Sequence, residues 1–187
     1  IIGMKISATL NSTGTKSMFM HAADAIHGDL GMIDNNDIVL CLSKSGTTPE
    51  IKTLVPLLKN SGNKLVGMTA NSDSYLAQHS DAVMLVHIPS EADSFNLAPT
   101  TSTTAQLVLG DALAICLMEL NGFKPEDFAR SHPGGALGKA LSIQLLHLLH
   151  EHKKPIVQQN TPIGEVITEI STKLVGATAV VENNKVV

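Results

Sequence analysis

The stretch DIVLCLSKSGTTPEI, Asp37 to Ile51, decides how this chain is read. Asp37 to Ser43 is a short apolar run that reads as a strand, and Ile51, Leu54, Val55, Leu57 and Leu58 beyond it recur at helical spacing until Gly62. The helix start has two readings: a capping box of Thr47 with Glu50, or Thr48 as cap with Pro49 at the first helical position. A cap needs one hydroxyl, yet Ser43, Ser45, Thr47 and Thr48 supply four. The surplus suits an anion. In an open α/β sheet the ligand crevice lies at the carboxyl ends of strands. The first helical turn there offers unpaired N–H groups and a positive dipole end, and Gly46 lets the backbone approach closely.

Working outward, SMFMH (17–21), KLVGMT (64–69) and AVMLVHI (82–88) read as further strands, uniformly apolar as in a parallel sheet covered on both faces. Ile2, Ile6 and Leu10 mark a helix already under way at the chain's start, and SDSYLAQHSD a short one with Tyr75 and Leu76 inward. Thr104 to Leu120 reads as a long helix, apolar nearly all round, to be buried in the core or against a second subunit. Alternating strands and helices predict a three-layer α/β sandwich with a mostly parallel sheet, flavodoxin-like. We divide the chain into a domain over 1–148, a linker over 149–160, and a tail over 161–187 that reads as Pro-started helix, strand, Asn-Asn turn and strand.

Composition bounds the function. The 187 residues are 43% hydrophobic and 16% charged with a net charge of -4, which excludes the basic face a nucleic-acid binder needs. No window approaches ~18 uninterrupted apolar residues, and the start lacks the marks of a signal peptide, so the expectation is a cytoplasmic protein with no membrane partner. Cys41 and Cys116, each inside an apolar run, are expected as small buried thiols. His147, His150 and His152 read as a solvated face rather than a zinc site, and no metal is expected.

With neither G-x-x-x-x-G-K-[ST] nor G-x-G-x-x-G present, the anion is the phosphate of a small metabolite rather than of a nucleotide. A second hydroxyl cluster, APTTSTTAQ (98–106), opens the long helix, so Thr100, Thr101 and Ser102 become candidates for the same ligand. Glu91 lies nine residues before Thr100 in a loop that follows a strand; by position alone it is a solvated carboxylate or a base at the crevice. His132 sits where Pro133 and two glycines break any helix, and histidine exchanges protons near neutral pH. His27, before Gly28 and Asp29, either fixes a turn or touches substrate hydroxyls.

SKSGTTPEI resembles the S-x-S-G-x-(T/S)-x-E phosphate loop of the SIS (sugar isomerase) family. HAADAIHGDLGMI (21–33), NLAPTTSTTAQLVLGDALA (96–114) and DFARSHPGGALG (127–138) narrow the resemblance to the D-arabinose 5-phosphate isomerases, over about Ile1 to Leu145. From about Pro155 the chain resembles the opening of a CBS domain, cut short. The resemblance implies interconversion of D-ribulose 5-phosphate and D-arabinose 5-phosphate through an enediol, feeding Kdo synthesis for lipopolysaccharide or capsule, with no cofactor. It also implies a homo-oligomer, dimer or tetramer. The family's acid and base groups match Glu50, Glu91 and His132, together with a lysine in a Gly-rich loop that would lie upstream of Ile1, so the expected fold is N-terminally truncated. Ser43, Ser45, Gly46, Thr47 and Thr48 match its phosphate anchors. The alternatives are an isomerase of another phosphosugar and a non-catalytic sugar-phosphate-sensing module.

Overall fold

The apolar run read first is the strand β1 (Ile38–Leu42), and it pairs in parallel with β2 (Lys64–Thr69), which pairs in parallel with β3 (Ala82–Leu85). The computed structural model describes residues 1–142, 154–183 and 185–187. Sheet order is β1-β2-β3, with α3 (Pro49–Asn60) and α4 (Tyr75–His79) as the intervening crossovers. The chain divides into two compact units, Ile1–Phe128 and Ala129–Val187.

In the first unit both faces of β1 carry helices. On one, Ile51, Leu54, Val55 and Leu58 of α3 and Leu76 of α4 close on Cys41 and Leu65, joined by Ala25 of α2 (Ala22–Ala25). Each fully buried aliphatic side chain there contributes about 1.5–3 kcal/mol. On the other face, Ile6 and Leu10 of α1 (Ile2–Ser12) meet Ala114 of α5 (Thr101–Leu120) over Leu40 and Leu42. This is the expected three-layer sandwich with a parallel sheet.

Two strand expectations need correction, and the long helix is only partly buried within the chain. Residues 17–21 form no strand: the Asn11 amide accepts the Ser17 N–H and donates to the Ser17 carbonyl, both at 2.8 Å, so a side chain takes the place of a neighbouring strand. β3 is not covered on both faces, since it is the outer strand of the β1-β2-β3 sheet and Val83 and Leu85 are 42% and 50% exposed. In α5 only Ser102, Gln106, Gly110 and Ala114 are buried, one stripe at four-residue spacing. Small residues let it approach α1, where a Cβ at Gly110 would lie 2.4 Å from Ile6. By length and composition α5 could cross a membrane; its buried stripe seats it on α1.

The same geometry separates the cysteines. Cys41 is buried, and burial pushes its thiol up to about 11, whereas Cys116 stands exposed on the outer side of α5, contrary to the expectation of two buried thiols.

The second unit holds the end of α6 (Pro125–Ser131), then α7 (Ala136–Ser142) and a small sheet. There β4 (Ile156–Gln158) pairs in parallel with β5 (Ala179–Glu182) across α8 (Ile163–Lys173), and β5 pairs antiparallel with β6 (Lys185–Val186). The tail's helix, strand, turn and strand are as expected, with Asn183 at φ 52° in the turn. The expected linker is in part β4, because Ile156 and Val157 supply a β-branched pair that polar neighbours disguised. Asn184 and the histidines at 147, 150 and 152 lie outside the described residues.

Candidate active site

The loop 43–48 leaves the carboxyl end of β1 and enters α3. Its ends are fastened to β2: the Ser43 N–H donates to the Met68 carbonyl at 3.0 Å, and the Lys44 carbonyl accepts from the Ala70 N–H at 2.9 Å and the Thr69 hydroxyl at 3.0 Å. The serines shape the loop itself, Ser43 Oγ accepting the Gly46 N–H (3.1 Å) and Ser45 Oγ the Thr47 N–H (3.4 Å). Gly46 has φ +65°, and a Cβ there would lie 2.3 Å from Ser74 Oγ and 2.9 Å from Thr69 Oγ1. The expectation attached this glycine to a ligand; the close approach it permits is to the protein's own interior.

At the helix start the second reading holds. Thr48 is the cap residue, Pro49 is the first helical residue, and the Thr47–Glu50 box does not form. Glu50 is exposed, and its own N–H, then the Thr48 hydroxyl and more weakly His21, hold its carboxyl below the usual range. Thr47 and Ser45 are exposed.

Glu91 is not a solvated carboxylate. Its side chain is 1% exposed. Oε1 accepts from Lys44 Nζ and Ser102 Oγ, each at 2.5 Å. Oε2 accepts from the backbone N–H groups of Thr100 (2.9 Å) and Ser102 (3.1 Å) and from the Thr100 hydroxyl (3.3 Å). Lys44 first, then the Ser102 hydroxyl and the two backbone N–H groups, hold its carboxyl far below the usual carboxylate range, overcoming burial. Glu91 thereby caps α5 from a distance, the role expected of the hydroxyl cluster: Thr100 precedes the helix without a side-chain cap, and its hydroxyl is turned to Glu91. Asn96 Oδ1 accepts the Glu91 N–H at 2.6 Å, and Asp93 accepts the N–H groups of Phe95, Leu97 and Ala98, folding the loop between β3 and α5.

The structure therefore joins Glu91, Thr100 and Ser102 to the loop 43–48, and the link is Lys44. That residue escaped the sequence reading, although a cation inside a loop expected to hold an anion was a signal. His21 beside Glu50 also went unassigned. Thr101 is the first residue of α5. His27 is exposed between α2 and the short turn Asp29–Met32, its N–H on the Asp24 carbonyl, just before Gly28 at φ 134°. His132 lies in the second unit, between α6 and α7, with its carbonyl accepting the Gly135 N–H at 3.1 Å. Among the described residues no group of His, Cys, Asp and Glu is arranged to hold a metal.

Chemically, a hydroxyl-rich helix start, a lysine and a buried carboxylate converge at the carboxyl ends of parallel strands. Such a site can hold a phosphate and present a base to the carbons beyond it.

Comparison with known proteins identifies the family. A family model described as SIS domain matches residues 1–116. The chain is 48% identical over 184 residues to a Pseudomonas aeruginosa protein named arabinose 5-phosphate isomerase KdsD, covering 98% of this chain and 56% of that protein. It is also 48% identical over 171 residues to the arabinose 5-phosphate isomerase KpsF of Escherichia coli O6:H1, covering 91% and 52%. A solved structure of an E. coli CFT073 protein in complex with arabinose 5-phosphate is 45% identical with a TM-score of 0.69, over 71% of this chain and 70% of that one. The chain spans about half the length of the curated relatives it matches.

Proposed function

Since the chain belongs to the SIS domain family, we propose that the protein it comes from is an aldose–ketose isomerase that interconverts D-ribulose 5-phosphate and D-arabinose 5-phosphate. The observation that carries this reading is the buried Glu91 carboxylate joined through Lys44 to the phosphate loop. Relatives bearing that activity's name, matched along nearly the whole chain, support the choice of sugar.

In this reading the N–H groups at the start of α3, with Ser43, Ser45, Gly46, Thr47 and Thr48, hold the phosphate end. Thr100, Thr101, Ser102 and His27 serve the sugar end. A base takes the proton from C1 of the ketose, the electrons pass to the C2 carbonyl and its oxygen is protonated to give an enediol; a proton returned to C2, with loss of the O1 proton as the C1 carbonyl forms, completes the aldose. Glu91, ionised at neutral pH, is that base. Glu50 at the mouth of the loop and His132 supply further proton transfer and ring opening. No nucleotide or redox cofactor enters the reaction. The protein works in the cytoplasm as a homo-oligomer, dimer or tetramer, feeding Kdo synthesis for lipopolysaccharide or capsule. Residues 161–187 open a CBS-like domain. The outward apolar side of α5 supports the oligomer.

The test is turnover of ribulose 5-phosphate by the full-length protein against a panel of five- and six-carbon phosphosugars. Glu91→Gln keeps the size of the side chain and is expected to turn over at least ~10²-fold more slowly, as loss of a general base gives. Unimpaired turnover in that variant removes Glu91 from the mechanism; preference for a six-carbon phosphate overturns the substrate.

A further inference from the structure

Lys44 is placed between two anion sites. Its backbone belongs to the phosphate loop and is held at the carbonyl by Ala70 and Thr69. Its side chain crosses to the loop after β3 and donates to Glu91 Oε1 at 2.5 Å. The lysine side chain is 45% exposed while the carboxylate it meets is 1% exposed. A fixed backbone therefore carries an ammonium with freedom to turn toward solvent or toward the loop from which it springs.

Glu91 as found is poorly suited to take a carbon-bound proton, because five donors occupy its oxygens. Four of those donors come from Thr100 and Ser102 and are neutral; two are hydroxyls, and the two backbone N–H groups are built into the start of α5, so they cannot leave without loosening the helix. The fifth is Lys44, the charged group that faces Glu91 from the β1–α3 loop, while Asn96 in Glu91's own loop is neutral. Lys44 is thus the donor that can depart, and its departure leaves Oε1 with the Ser102 hydroxyl alone and removes the charge that suppresses protonation. An ammonium bonds phosphate and carboxylate oxygens alike, and a dianion attracts it more strongly than a carboxylate does.

We propose that Lys44 is a positioning residue that exchanges between the Glu91 carboxylate and a phosphate monoester in the loop 43–48, so that seating the phosphate releases Glu91 Oε1 to act. The proposal rests on the isomerase reading for its purpose but not for its test.

The test follows the Glu91 carboxyl in the full-length protein by carbon NMR, with its signal assigned by loss in Glu91→Gln. Inorganic sulfate serves as the phosphate stand-in because it stays dianionic to lower pH than phosphate does, and chloride at equal ionic strength is the control. In the unaltered protein, sulfate is expected to raise the Glu91 midpoint where chloride does not. In Lys44→Met the midpoint is expected to be raised already, by about one to three units, and to ignore sulfate; Lys44→Arg restores the response. A midpoint unmoved by saturating sulfate in the unaltered protein overturns the exchange without reliance on any variant. So does a Lys44→Met midpoint equal to that of the unaltered protein. In turnover, Lys44→Met is expected to move the acid limb of kcat/KM to higher pH and to raise KM about tenfold. Should the full-length protein convert no phosphosugar, the isomerase reading falls while the titration still decides the role of Lys44.

Discussion

Single residues in this protein owe their conformations to contacts far away in the chain. Glu91 illustrates this: a loop carboxylate by its neighbours in sequence, it becomes a buried cap for α5 because Thr100 and Ser102 present their N–H groups to it. Gly46 illustrates it from the side of backbone strain. Its φ of +65° is unfavourable for any side chain, and the space a Cβ would need is filled by Ser74, whose hydroxyl caps α4. Gly46→Ala is therefore expected to lose about 2 kcal/mol or more, combining left-handed strain with a clash that neither loop can relieve cheaply. Urea denaturation of the variant measures this, and an unchanged midpoint would show that the loop is free to reshape.

Between elements, charge and hydrogen bonding set the order of the sheet. Asp81 stands just before β3 and accepts the Leu65 N–H of β2 at 2.8 Å, while Lys59 of α3 (2.9 Å) and Lys64 of β2 (3.5 Å) pair with it. One carboxylate thereby joins α3, β2 and the entry to β3. The Leu65 N–H first, then Lys59, lower its carboxyl from 3.8 to about 2. The folded value lies below the unfolded one, so this stabilisation is complete above about pH 4 and is lost as pH falls from there toward about 2. Thermal melts across that range are expected to show a steeper loss for the unaltered protein than for Asp81→Asn. Parallel curves would mean that Asp81 contributes nothing to folding.

On the scale of the whole molecule, the first unit presents apolar surface that its own core does not use. α5 buries one stripe against α1 and leaves Val108, Ile115 and Leu120 at 63%, 45% and 81% exposed. β3 adds Val83 and Leu85 at the outer edge. A helix apolar on all sides needs cover on all sides, which the homo-oligomer proposed above would supply. Sedimentation of the full-length protein is expected to give a dimer or tetramer, and Val108→Glu with Ile115→Lys is expected to shift the population toward smaller species while the far-UV spectrum holds. A monomer unaffected by those changes would assign the face to another partner.

The periodic patterns of apolar residues carried much of the architecture: β1, β2, β3 and the helices between them follow from local spacing, and so do the tail's helix, turn and hairpin strands. The strand β1 ending in hydroxyls and a glycine was enough to place a hydroxyl-rich loop at a helix start. Such features are local, set by backbone propensity and by which face of an element is apolar. What local pattern misjudged was every case settled by a distant partner. Residues 17–21 look like a strand, but Asn11 satisfies Ser17 instead. Cys116 looks as buried as Cys41, but only the fold says which side of α5 meets the sheet. The pairing of Lys44 with Glu91 spans 47 positions of sequence, and burial of that carboxylate depends on the start of α5 closing over it. Sequence alone thus determined the kinds of elements and the chemistry on offer. Tertiary structure alone decided which donors surround Glu91, because a buried charge takes its character from groups that folding, not chain order, brings to it.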